Sequence, residues 1–203
     1  MDNRTLAHYE RNAESFWEGT RDHDVSQNIQ SLLSALENRS PAGKQAFRIL
    51  DFGCGPGRDL AAIKALGHEA VGLDGCERFV TMARTFSGCE VLHQDFLALS
   101  LPPHHFDGIF ANASLFHVPS KDLPRVLDEL RAALRPGGVL ICSNPRGDDV
   151  EGFAGDRYSC FFEIARWRAL FSAAGFSELG HYYRPAGKPL AEQPWLVMTW
   201  QSR

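Results

Sequence analysis

Phe47-Arg-Ile-Leu-Asp51-Phe-Gly53-Cys54-Gly55-Pro56-Gly57-Arg58 is an apolar run that ends in three glycines spaced two apart. Its first half reads as a buried strand, and Asp59–Leu66 behind it as a helix stopped by Gly67. Glycines between a strand and a helix let the chain turn with positive φ and approach a ligand with no Cβ in between. In an open parallel sheet, ligands bind outside the carboxyl ends of the strands, so this loop is the first candidate site. A dinucleotide fingerprint would put its third glycine at position 58, which here is Arg58, the third glycine being Gly57. A pyrophosphate must seat on the helix N-terminus. The spacing therefore favours a nucleoside without a diphosphate over the rival reading, a nicotinamide-dependent oxidoreductase on a similar sheet.

Two more strand ends follow in order. Ala70–Leu73 leads into Asp74-Gly75, where a carboxylate is placed to accept both hydroxyls of a ribose. Glu90–Leu92 leads into Gln94-Asp95-Phe96, where Asp95 can accept from an exocyclic amine and Phe96 can cover a ring face. Either acid alone could be a helix cap or a turn residue; in sequence with the glycine loop they describe a nucleoside site. Further along, Phe106–Phe110 reads as a strand and Asp122–Leu134 as a helix ending at Arg135-Pro-Gly-Gly138. Val139–Cys142 reads as a strand and Ile164–Ala174 as the last helix. Strands over Ser177–Tyr183 and Trp195–Trp200 are joined by a Pro- and Gly-containing loop without a helix, which makes one of them antiparallel. The repeated β-α-β pattern predicts an α/β fold with one seven-stranded, mostly parallel sheet and helices on both faces.

Ahead of this core, residues 4–18 and about 26–38 read as amphipathic helices, and the turn-rich Asn38–Lys44 closes them off. One domain is expected over 1–203, with 1–40 a helical lid and 45–203 the core. The 44% hydrophobic and 23% charged fractions are those of a globular chain, and the net charge of -4 disfavours nucleic acid or anionic membrane as a partner. No long apolar run predicts a membrane helix, and the polar start does not read as a signal peptide. Five cysteines without a CxxC pair point to free thiols in a reducing cytoplasm. Eight histidines without an HxxxH pair give no metal site, and His104-His105 reads as a polar loop.

Leu50-Asp51-Phe52-Gly53-Cys54-Gly55-Pro56-Gly57 fits the pattern hydrophobic-Asp-hydrophobic-Gly-x-Gly-x-Gly. This is the first motif of the class I S-adenosylmethionine-dependent methyltransferases, and the chain resembles the small-molecule members of that family. The likeness continues in Phe106-Asp-Gly-Ile-Phe-Ala-Asn112-Ala-Ser114-Leu-Phe-His117, which looks like the fourth motif. It also extends to the spacing Tyr9-x3-Ala13-x2-Phe16-x3-Thr20-x3-Asp24-x-Ser26, which resembles the family's N-terminal cap. The resemblance implies a Rossmann-like core and S-adenosyl-L-methionine as cofactor. It implies that Asp51, Gly53, Cys54, Gly55, Gly57 and Arg58 lie around the methionine part, and that Asp74 with Gly75 holds the ribose. Gln94, Asp95 and Phe96 fall at the adenine, with Asn112, Ser114, Tyr9 and Trp17 completing the cofactor set. Phe16 is expected in the core, while Tyr9 and Trp17 either line the site or simply dock the cap helix.

Methyl transfer from a sulfonium is an in-line displacement, so the protein mainly positions a nucleophile. A general base is needed only where the acceptor must lose a proton. His117, after the fourth motif, is the candidate base, with a hydrogen-bonded buried histidine as the plain alternative; His23 is a weaker candidate. Arg146 and Arg157 could bind a carboxylate or phosphate bidentately, and Tyr158, with Tyr182, Tyr183 and Arg184 near a strand end, could line the pocket. A small polar or anionic acceptor is expected, and no Asn-Pro-Pro-Tyr-like run favours nucleic-acid bases. The other reading, a module that binds the nucleoside without turnover, is disfavoured by the intact fourth motif and cap.

Overall fold

The computed structural model describes residues 2–39 and 46–203; the end of the predicted turn at Asn38–Lys44 lies outside them. Three helices come first: α1 (Asn3–Arg11), α2 (Ala13–Thr20) and α3 (Ser26–Glu37). The core then runs β1 (Arg48–Phe52), α4 (Arg58–Ala65), β2 (Glu69–Asp74), α5 (Glu77–Ser87), β3 (Glu90–His93), β4 (Phe106–Asn112) and α6 (Leu123–Ala133). It finishes with β5 (Leu134–Pro145), β6 (Val150–Ala154), β7 (Arg157–Phe161), α7 (Ile164–Ala173), β8 (Phe176–Arg184) and β9 (Trp195–Ser202).

Seven strands form one sheet in the order β3-β2-β1-β4-β5-β9-β8. Only β9 is antiparallel, pairing with β5 on one side and β8 on the other, as the helix-free connection before it predicts. Alternate residues of each strand feed two cores. Ile49, Phe110, Ile141 and Val197 pack with α3, α4 and α5 on one face, while Leu50, Ile109, Leu140 and Met198 pack with α6 and α7 on the other. The order reverses between β1 and β4, and the glycine loop sits at that switch.

Three expectations are corrected. The helix over residues 4–18 breaks at Asn12, whose side chain donates to His8 O at 2.7 Å and competes with the helical ladder. Helix α3 is a layer of the core and not part of a cap, because Ile29, Leu32 and Leu36 lay a buried stripe on the sheet. Strand β5 begins at Leu134, inside the predicted helix stop. In addition, β6 and β7 form a separate hairpin in a stretch to which the sequence pattern assigns no element.

Candidate functional site

The site begins where β1 stops. The N–H groups of Gly53 and Cys54 both donate to Leu73 O, at 2.8 and 3.1 Å, pinning the loop to the end of β2. Gly53 has φ +79°, and a Cβ there would lie 2.4 Å from Ser114 Cβ, so the segment after β4 closes on the loop only because this side chain is missing. Gly57, with φ +96°, caps α4, and a Cβ on it would meet Ala83 Cα of α5 at 2.8 Å.

Asp74 is buried at the end of β2. Its Oδ2 accepts from the Gly55 N–H at 3.0 Å and its Oδ1 from the Cys76 N–H at 2.9 Å. Burial pushes its pKa up to about 6, opposed in part by those main-chain donors. The Gly75 N–H adds a third main-chain donor, which leaves the carboxylate one lone-pair site to offer a ribose hydroxyl. Behind the loop, Asp51 Oδ2 finds no hydrogen-bond partner among the described residues. Burial first, and the charge of Asp59 second, hold the Asp51 carboxyl well above the usual carboxylate range.

A cavity of about 670 Å³ opens on the loop, large enough for a small-molecule site. Gly53, Cys54, Gly55 and Arg58 of the cofactor set line it, together with Asn112, Tyr9 and Trp17. His23 and Arg157 of the acceptor set also reach it. Phe16, expected in the core, is half-buried: it packs against the core cluster and also lines the cavity. Arg184, expected at the pocket from its place near a strand end, lines it as well, whereas sequence reasoning missed Thr20, Asp59, Phe116, Ser143 and Trp195. Asp59 carried a readable signal, an acid in the first turn of the helix that follows the glycine loop. The others come from segments brought together only by the fold.

Arg58 and Asp59 anchor a chain of hydrogen bonds. Arg58 donates Nε–H to Asp59 Oδ1 at 2.6 Å, Nη2–H to Oδ2 at 3.0 Å, and Nη1–H to Thr20 O at 2.6 Å. Asn112 donates to Asp59 Oδ2 at 3.0 Å, and Asn28 of α3 donates to Asn112 Oδ1 at 3.0 Å. Tyr182 of β8 closes the chain on Asn28 Oδ1 at 2.8 Å. Tyr182 is thus a brace between β8 and α3, not a cavity residue.

The acidic strand ends are outside the cavity walls. Leu6 of α1 supplies the reason. A Cβ built on Gly75 would lie 2.9 Å from Leu6 Cδ2 and 3.8 Å from Asp95 Cα, so α1 covers this half of the site. Asp95 Oδ1 accepts from the Leu97 N–H at 2.8 Å, and Gln94 brackets the backbone of Ser100. Phe96 is a correction. It is buried at 1% exposure and stacks on Phe52 at 4.2 Å, so it fills the core under the loop and does not present a ring face. Ser114 is buried too, with its hydroxyl unpartnered among the described residues.

His117 is 3% exposed and lies outside the cavity walls. Its Nδ1 lies 2.6 Å from Tyr158 O, and its Nε2 lies 2.8 Å from Tyr9 Oη. Burial drives its pKa down to about 4, so the ring is neutral at pH 7 and a poor proton store. Tyr9 stands between His117 and the cavity, its phenol raised by burial and lowered in part by the Arg157 guanidinium facing it. The remaining acceptor residues are engaged elsewhere. Arg146 donates to Leu190 O and Gln193 O and stacks over the Tyr183 ring, and the Tyr158 hydroxyl donates to Glu151. Among the described residues no cluster of three His, Cys, Asp or Glu side chains is arranged to hold a metal ion, and no helix is long and apolar enough to cross a membrane.

Comparison with known proteins bears on the fold and the loop. Residues 49–138 match the methyltransferase domain family model. The chain is similar to the sterol 24-C-methyltransferase of Gibberella zeae, with 30% identity over 175 residues, covering 75% of this chain and 45% of that protein. Across four such curated relatives the chain spans between 33% and 45% of their length. Among solved structures it is similar to the TehB-like S-adenosylmethionine-dependent methyltransferase of Corynebacterium glutamicum. The TM-score is 0.72 at 18% identity, over 97% of this chain and 99% of that one. The 1,6-didemethyltoxoflavin-N1-methyltransferase of Burkholderia thailandensis, solved with S-adenosylhomocysteine and 1,6-didemethyltoxoflavin, superposes at a TM-score of 0.68 with 23% identity, over 97% of this chain and 88% of that one. The nicotinamide reading, already weakened by Arg58, gives way: residues 49–138 match a methyltransferase domain, and the fold is shared with S-adenosylmethionine-dependent methyltransferases, the family that the motifs resemble.

Proposed function

We propose that this chain transfers the methyl group of S-adenosylmethionine to a small acceptor that carries a negative charge. The observation that carries the acceptor class is Arg157. It lines the cavity with no carboxylate paired to it among the described residues, while Arg58 is already matched by Asp59. A guanidinium facing an aromatic-walled cavity of this kind suits a carboxylate or phosphate. When bound, the cofactor supplies an electrophilic methyl group. The chain's own part is to hold and orient. Gly53 and Gly55 let a ligand lie directly on the backbone, and Asp74 offers a carboxylate lone pair to a ribose hydroxyl. The Arg58–Asp59 pair puts opposite charges beside the loop, the complement of an amino-acid zwitterion. In this reading α1 and α2 act as a cover, and closing such a cover excludes water and brings the reactants into register.

The test has two arms. Titration calorimetry with S-adenosylhomocysteine and, separately, with NAD should give binding to the first alone, weakened at least about tenfold by Asp74→Ala, the scale of a lost charged hydrogen bond. A panel of carboxylates, phosphates and matched neutral analogues is then offered with S-adenosylmethionine, and S-adenosylhomocysteine release is measured. Binding of NAD alone would end the methyltransferase reading, and turnover confined to neutral acceptors would end the anionic one.

A further inference from the structure

Tyr9 Oη, His117 and Tyr158 O form a line of hydrogen bonds whose polarity can be worked out. Tyr158 O is a carbonyl and can only accept, so at 2.6 Å the His117 Nδ1 must carry the hydrogen. A neutral imidazole has one N–H, which leaves Nε2 as an acceptor. The partner of Nε2 at 2.8 Å is Tyr9 Oη, so the phenol hydrogen points at His117. The Tyr158 carbonyl is itself held in place. The Tyr158 N–H donates to Thr5 Oγ1 at 2.8 Å, tying the hairpin to α1. The Tyr9 ring is fixed on its other sides by Phe16 and Phe79, each 5.5 Å away between centroids.

We propose that Tyr9 is the group that meets the nucleophile of the methyl acceptor, and that His117 is a positioning residue that turns the Tyr9 hydrogen away from the cavity. The inference rests on the methyltransferase reading above. With its hydrogen committed, Tyr9 offers the cavity only lone pairs, one of which an Arg157 N–H already meets. It therefore selects a nucleophile that brings its own hydrogen, an alcohol, phenol or amine, and excludes a bare carboxylate as the methylated group. Arg157 stands against the same phenol, so the negative group of the acceptor lies close to its N–H or O–H. The hydrogen bond to Tyr9 Oη aims the remaining lone pair of that nitrogen or oxygen. In the transfer that lone pair forms the bond to the methyl carbon, and the methyl–sulfur pair stays on sulfur. The proton on the newly positive nitrogen or oxygen then leaves to water. His117 does not receive it.

Two measurements test this. Histidine ¹⁵N NMR near pH 7 should show His117 with a protonated Nδ1 and a bare Nε2, and Tyr9→Phe should shift only the Nε2 signal. The reverse tautomer, or no response to Tyr9→Phe, overturns the positioning role without any acceptor being known. The kinetic measurement offers hydroxybenzoates, hydroxy acids and amino acids with S-adenosylmethionine. Tyr9→Phe should lower kcat about 100-fold, the cost of losing orientation, with S-adenosylhomocysteine affinity unchanged in calorimetry. His117→Gln, whose amide oxygen can still accept from Tyr9, should keep kcat within several-fold, whereas His117→Leu should fall as far as Tyr9→Phe. Wild-type kcat in Tyr9→Phe overturns the proposal, as does His117→Gln as impaired as His117→Leu, the mark of a general base. Methyl esters as the products of every active acid overturn the choice of nucleophile. Failure of the wild type to bind S-adenosylhomocysteine would instead strike the methyltransferase reading.

Discussion

His117 and Asp74 are both buried, and burial moves their proton affinities in opposite directions. The His117 ring sits near 4 instead of its ordinary 6.5, so between those values the unfolded chain binds more protons than the folded one. Its contribution is present above pH 6.5 and is lost as pH falls toward 4. Asp74, raised to about 6 from 3.8, does the reverse, and its contribution is lost as pH rises through that range. The two largely cancel in the wild type, so a plain stability profile would show little of either. A comparison separates them. Urea unfolding should show the stability advantage of wild type over His117→Gln smaller at pH 4.5 than at pH 7, by about 2 kcal/mol. An advantage independent of pH would mean that the ring is not held neutral.

Helix α1 is fastened at several points along its length. Arg4 and Arg11 both pair with Asp156 at the hairpin tip, each at 3.0 Å. Glu10 accepts from the Glu77 N–H at the start of α5, and Leu6 lies over Gly75. The charged contacts are exposed, and such pairs add little to global stability. Their effect belongs to local opening. Asp156→Asn should therefore leave the melting temperature nearly unchanged while amide exchange in α1 accelerates and S-adenosylhomocysteine associates faster; unchanged exchange would show that the pairs do not hold the helix. The strands and helices of the core were legible because their apolar periods are long and their glycines punctuate them. The break at Asn12 was not, since a polar residue on the outer face of a helix leaves the apolar period intact. The hairpin was overlooked although Gly155-Asp156 stands between two alternating runs, a two-residue turn signal with Gly155 at φ +60°. In the site, residues next to glycine-loop and strand-end signals could be read from order alone. Trp195 and Phe116 could not, because only β9 lying beside β5 brings the distant ends together. Phe96 was misassigned because an aromatic after a strand reads alike whether it faces a ligand or the core.

Across the whole molecule, one polar chain connects the last strands to the glycine loop. It runs from Tyr182 on β8 through Asn28 on α3 and Asn112 on β4 to Asp59 and Arg58 on α4, ending on Thr20 O at the close of α2. Every link but the last is a side chain that the apolar layers would penalise if left alone. Asn28→Ala strips a partner from both Asn112 and Tyr182, and should destabilise the fold by about 1–3 kcal/mol. Because Asn112 and Asp59 wall the cavity, S-adenosylhomocysteine affinity should drop with it. Chemical denaturation and calorimetry on the one variant check both effects, and a stability loss with full affinity would show that the chain braces without reaching the site. The β6–β7 hairpin stands apart from this wiring. It pairs only with itself, is inserted between β5 and α7, and yet supplies Arg157 and the carbonyl that orients His117. A cassette of this kind can be lengthened, recoded or exchanged without rebuilding the sheet or the glycine loop. If Arg157 reads the acceptor as proposed, the choice of acceptor is then free to diverge, by evolution or by grafting, while the nucleoside half of the site stays as it is.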